Sequence, residues 1–254
     1  MVFWSCTIYE INPSTNRRIL DNIWLDEPFE YVYDEYSGNE LMVYFDHHQE
    51  TEYGPFLEVQ LDILSPPYYL RNRPSQRVPV TVNLAMQFFR HSGWPNLVGV
   101  FGQRSNADKL RWALREIYGN AAELEGLDRI HLLNQVIFRL REQEECLNSR
   151  FPDMKELSVE GLSDYNIDKA VLKGHSLEEH PLFDEWVRDA LRSGQVRHFG
   201  FFVRNETVII STFGNMYSRQ GRERAPFGTV GSVLRNLLEC EAVQYQSSID
   251  QFSH

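Results

Sequence analysis

Pro55-Phe56-Leu57-Glu58-Val59-Gln60-Leu61-Asp62-Ile63-Leu64 is the stretch on which the fold turns. Leu57, Val59, Leu61 and Ile63 occupy one side of a period-two pattern and Glu58, Gln60 and Asp62 the other. Successive side chains of a strand point to opposite faces, so this segment reads as a strand with one face in a core and one in water or against a partner. The same period runs through Phe3 to Ile11, Arg18 to Leu25, Phe29 to Tyr36 and Leu41 to Asp46, and Ser37-Gly38-Asn39-Glu40 has the chemistry of a hairpin turn. An N-terminal antiparallel β-sheet follows.

Downstream, Ser65-Pro66-Pro67 stops the strand, and a connector rich in proline and arginine runs to Pro79. Apolar spacing predicts a helix from Thr81 to His91, a strand from Leu97 to Phe101, a helix from Ala107 to Tyr118 and a longer amphipathic helix from Leu127 to Asn148. Beyond Pro152 come short strands at Glu156 to Leu162 and Lys169 to Lys173, and then a helix from Pro181 to Arg192. A hairpin of Gln195 to Val203 with Thr207 to Thr212 follows, and a last helix from Gly228 to Cys240. The expected class is α+β: an N-terminal antiparallel β-sheet, long amphipathic helices, and a C-terminal mixed β-hairpin/helix subdomain. The expected division is 1–79, 80–243 and a flexible tail at 244–254.

With 254 residues the chain is long enough to bury a real core without staples. Its net charge of −11 opposes general attraction to phosphate, so any nucleic-acid contact has to come from a local patch. No apolar run approaches the length of a spanning helix, and no secretory leader is read at the N-terminus. Cys6, Cys146 and Cys240 are odd in number and far apart, so neither a disulfide framework nor a zinc knuckle is expected, and a cytoplasmic setting is. Of the 25 basic residues only Lys109, Lys155, Lys169 and Lys173 are lysines, which leaves 21 arginines.

Several of those arginines gather in one loop, Tyr217-Ser218-Arg219-Gln220-Gly221-Arg222-Glu223-Arg224, between a strand and the last helix. Arg219, Arg222 and Arg224 supply forked donors for phosphate or carboxylate, and Tyr217 a stacking surface. The loop matches no phosphate-binding motif, and internal or protein-interface ion pairs account for it as well. A second stretch interleaves Tyr69, Arg71, Arg73 and Arg77, a stacking-plus-phosphate pattern that would form a groove with the first if folding joined them.

Asp46-His47-His48 ends an apolar strand and resembles the motif that names the DHH phosphoesterases. That resemblance implies a metal-dependent phosphoesterase using Asp46, His47 and His48; it covers three residues, and the family's upstream Asp-x-Asp is absent from the first 45. The plainer reading is a solvated strand end. His175, Glu178, Glu179 and His180 have the wrong order for a His-Glu-x-x-His zinc helix. No nucleophile motif occurs, so catalysis is not expected and no cofactor is called for.

The leading expectation is therefore a non-catalytic binding protein, one component of a larger assembly, that meets nucleic acid or an acidic protein surface through its arginine-rich loop. A third reading is an acidic inhibitor, immunity-like, whose carboxylate face with Glu58 and Asp62 meets a basic partner.

Overall fold

The computed structural model describes residues 4–11, 29–34, 39–67, 77–90, 96–121, 133–162, 167–179, 181, 195–219 and 226–245. The chain divides into two compact units, one of Ile11–Leu133 and the other of Met1–Glu10 with Asn134–His254. Thirteen strands stand against three α-helices among the described residues, and the strand pairs are antiparallel.

Strand β1 (Trp4–Ile11) belongs to the unit that holds the C-terminal half. The other unit is a meander of β2 (Phe29–Asp34), β3 (Asn39–Thr51), β4 (Gly54–Leu64), β5 (Pro79–Phe89) and β6 (Leu97–Phe101), hydrogen-bonded in that order, followed by helix α1 (Arg104–Ala121). Leu57, Val59 and Leu61 are buried, as the alternation requires, and their cross-strand partners Met86, Leu84 and Val82 continue the apolar face. Helix α1 turns Ala107, Leu110, Leu114 and Tyr118 inward, at helical spacing, and sets Tyr118 against Phe29 and Phe45 and Trp112 against Tyr31.

The unit with the C-terminal half adds β7 (Leu133–Phe138), α2 (Glu144–Arg150), β8 (Met154–Leu162), β9 (Ile167–Lys173), β10 (Gln195–Val203), β11 (Glu206–Ser211), β12 (Asn215–Ser218), α3 (Phe227–Glu239) and β13 (Val243–Tyr245). Its sheet has the order β1-β12-β11-β10-β8-β9, while β7 pairs with β1 and β13. Arg204 and Asn205 join β10 to β11, both with positive φ, the geometry that matches a tight turn to strand twist. Helix α3 buries Val230, Val233, Leu234 and Leu237.

Three sequence expectations are corrected. The chain is mostly β and not an α+β fold with long amphipathic helices. The segment read as a helix from Thr81 to His91 is strand β5: Val82, Leu84, Met86 and Phe88 alternate with Thr81, Asn83, Ala85 and Gln87, and pairing on both sides selects that period. The helix expected from Leu127 to Asn148 gives way to β7 and the short α2, because Val136, Ile137 and Phe138 pair with β13. The segment expected as a helix from Pro181 to Arg192 lies largely outside the described residues, as does the tail after Tyr245.

The cysteines bring a further correction. Cys146 on α2 and Cys240 at the end of α3 form a disulfide with Cα atoms 5.7 Å apart, although 94 residues separate them in sequence. An ion pair between Arg150 and Glu239, 3.0 Å long, ties the same two helices. Cys6 is the free thiol, fully buried, and burial pushes its pKa up.

Closing a loop of this length removes freedom from the unfolded chain, so reduction or Cys146→Ser should destabilise the fold by about 2–4 kcal/mol. Chemical denaturation with and without a phosphine reductant measures it, and superimposable curves would show that the bridge contributes nothing.

Candidate functional site

The sheet of the C-terminal unit is read most easily across its strands. Leu172, Leu157, Phe199, Ile210, Met216 and Cys6 are consecutive cross-strand partners from β9 to β1, and all face the core side. One residue along, the row is Lys173, Glu156, Gly200, Ile209, Tyr217 and Ser5, on the opposite face. A further step of two brings Val171, Ser158, His198, Ser211, Asn215 and Thr7 to that same second face. One face is thus oily and the other carries chemistry.

Glu156 is the centre of the second face. It is 5% exposed, yet its carboxylate meets Lys173 at 3.1 Å, the His198 ring Nε2 at 2.9 Å and Arg219 at 3.5 Å. Burial alone would raise its pKa; hydrogen bonds from Lys173 and His198 and the charge of Arg219 outweigh that and hold it below the ordinary carboxylate value. His198 moves down as well, because loss of water opposes its charged form more strongly than Glu156 favours it. The pair is therefore a carboxylate accepting a hydrogen bond from a neutral imidazole.

Gly200 makes the arrangement sterically feasible. It lies directly opposite Glu156, and a Cβ built there would sit 2.8 Å from the Glu156 Cβ. Beside this cluster Lys155 bridges Asp153 at 2.7 Å and the His175 Nδ1 at 2.8 Å. The hydrogen bond from Lys155, with a smaller contribution from Ser176 N–H, lowers the Asp153 pKa. Farther along β8, Glu160 receives Arg197 at 2.6 Å and Lys169 at 3.6 Å. The Ser158 hydroxyl, buried on the same face, has no hydrogen-bond partner.

A pocket of about 470 Å³ opens over this face. Lys155, Lys173, His175 and Arg219 bring cationic or titratable nitrogen to it, Asp153 and Glu156 carboxylate, and Phe202, Thr207 and Ile209 the remaining wall. Three cationic side chains against two carboxylates give this lining a small positive excess in an overall acidic chain.

Of the residues singled out in sequence, Arg219 lines this pocket and Tyr217 shares the sheet face without lining it. Tyr217 is half-buried on β12, its phenol pKa raised by burial, and the Arg219 guanidinium stands 5.9 Å from its ring centroid. Arg222, Arg224, Tyr69, Arg71 and Arg73 lie outside the described residues. Arg77 is an exposed residue ahead of β5 in the other unit. Asp46 is exposed on β3, opposite Glu58, where the register slips by one residue before His48; the side chains of His47 and His48 are outside the description. Asp62 accepts a hydrogen bond from Thr81 at 2.7 Å. Among the described residues no group of three or more His, Cys, Asp or Glu side chains is arranged to hold a metal ion.

Sequence reading missed Glu156, His198, Lys173, Lys155 and Phe202. One signal was available: three of the four lysines, Lys155, Lys169 and Lys173, fall on β8 and β9.

The two shifts give a stepwise acid limb. The unfolded chain takes up a proton at His198 below its ordinary value of 6.5 while the folded one resists, so stability falls as pH drops through that value. Stability from Glu156 is fully present above its ordinary value of 4.5 and disappears as pH falls through the lower folded value. His198→Gln should flatten unfolding free energy between about pH 5 and 7 and keep the loss below pH 4.5; denaturant curves across that range check it, and an unchanged upper limb would refute the assignment. No protein-family model matches the chain, and no curated protein matches it.

Proposed function

We propose that the chain is a non-catalytic binding protein, one component of a larger assembly, that seats an anionic group of its partner among Lys155, Lys173, His175 and Arg219. A single observation carries this reading: those four side chains converge on one pocket of about 470 Å³ in a chain whose net charge is −11. Arginine and lysine are suited to different parts of the task. A guanidinium offers a planar fork to phosphate or carboxylate, and an ammonium a compact point charge.

Glu156 supports the reading. By holding Lys173 and Arg219 on one carboxylate it fixes two long, flexible side chains before any partner arrives, which lowers the ordering cost of binding. Lys173 and Arg219 nonetheless keep 54% and 45% of their side chains exposed, so each presents donors to a ligand while held by Glu156. Arg222 and Arg224 follow Arg219 closely in sequence.

Arg219→Ala combined with Lys173→Ala should weaken binding of a fluorescein-labelled single-stranded oligonucleotide by tenfold or more and reduce its salt dependence by about one to two counterions. Fluorescence anisotropy over a salt series reads both. The far-ultraviolet spectrum should not change. Equal affinity of the variant and the parent, or no salt dependence in the parent, would sink the proposal.

A further inference from the structure

The same pocket carries information on what accompanies the anion. Its floor includes Ile209, 2% exposed, which brings an apolar surface to the base. The next row on that face is Phe202 with its partner Thr207. Phe202 is 44% exposed, an unusual state for so large an apolar side chain in a pocket wall, and Lys155 Nζ stands 5.7 Å from its ring centroid. Across the floor, Lys173 and Arg219 meet at Glu156.

An inorganic anion or an acidic side chain would use the cations and leave the floor and the aromatic wall in water. The volume lies within the roughly 300–1,000 Å³ range of sites that enclose organic ligands. We propose that the pocket takes a nucleotide, its base laid against Phe202 over Ile209 and its phosphate drawn to Lys173 and Arg219, a proposal that rests on the anion-binding reading above. A nucleobase stacks on an aromatic ring whatever its sequence, and phosphate is the anion that forked and point-charge donors both serve. Thr207 and Asp153 belong to the same lining and would offer polar groups to the edges of a base. A free nucleotide and the end of a single strand share this chemistry.

The test is calorimetric titration of the full chain with adenosine monophosphate, ribose 5-phosphate, inorganic phosphate, a 5′-phosphorylated oligonucleotide and a glutamate-rich peptide. Adenosine monophosphate should bind at least tenfold tighter than ribose 5-phosphate. Phe202→Ala should erase that difference and leave ribose 5-phosphate affinity unaltered, with Phe202→Tyr restoring it; since Phe202 is exposed, a thermal midpoint close to the parent's accompanies the result. An oligonucleotide that outcompetes the mononucleotide assigns the site to a strand end, and the reverse order to a free nucleotide. Equal binding of the mononucleotide and the sugar phosphate, a stacking advantage that survives Phe202→Ala, or preference for the peptide would overturn the nucleotide inference and leave the anion site standing. Failure of every anion to bind would remove both.

Discussion

Cross-strand register is the constraint from which the rest of the C-terminal unit follows. Because side chains alternate at every residue, the pairing of Glu156 with Gly200 and of Leu157 with Phe199, carried on through the neighbouring pairs, assigns the residues of six strands to two faces at once. A slip of one residue would turn Glu156 and His198 into the core and expose Phe199 and Ile210. A bulge in β10 at Arg197 and one in β8 at Lys155, between the Glu156–Gly200 and Met154–Phe201 pairs, are where this register is adjusted. They leave Glu156 facing a glycine, and so the sheet has space for a buried carboxylate on its chemical face.

That carboxylate is expensive to bury and is therefore informative. An ion taken from water is recovered only when geometry and hydrogen bonds are good, and an apolar replacement of similar volume is often as stable. Glu156 has three partners from three other segments, β9, β10 and the start of the arginine-rich loop, so it brings together groups that local structure alone would leave apart. In the proposed function it is a positioning residue: it preorganises the cations and partly offsets their charge, so that a bound anion shares them rather than creating the site.

Legibility in the sequence varied with the range of the deciding contact. The alternation of Leu57 to Ile63, the spacing of α1 and α3 and the Arg204-Asn205 turn are local and were readable. Strand β5 was misread because Leu84, Ala85, Met86 and Phe88, Phe89 also satisfy helical spacing, and only pairing with β4 and β6 decides between the periods. The Cys146–Cys240 bridge spans 94 residues, and Glu156 meets His198 and Arg219 across 42 and 63, separations for which spacing gives no cue. Arg219 was found by its neighbours in sequence, whereas its partners in the pocket were not.

Strand β1 has a consequence in time. Trp4 to Thr7 pair with Ser218 to Asn215, and Trp4 and Thr7 add side-chain bonds to Glu206 and Asn215, so these residues meet across more than two hundred positions. At the usual 5–20 residues per second a ribosome needs roughly 10–40 s to make the partner strand after β1 is complete. Through that interval β1 is an apolar strand whose β12 neighbour does not exist, and sheet closure at that edge waits on residues made two hundred positions later. An apolar strand without its partner is an open edge, so the wait itself is the interval in which wrong pairings compete with the right one.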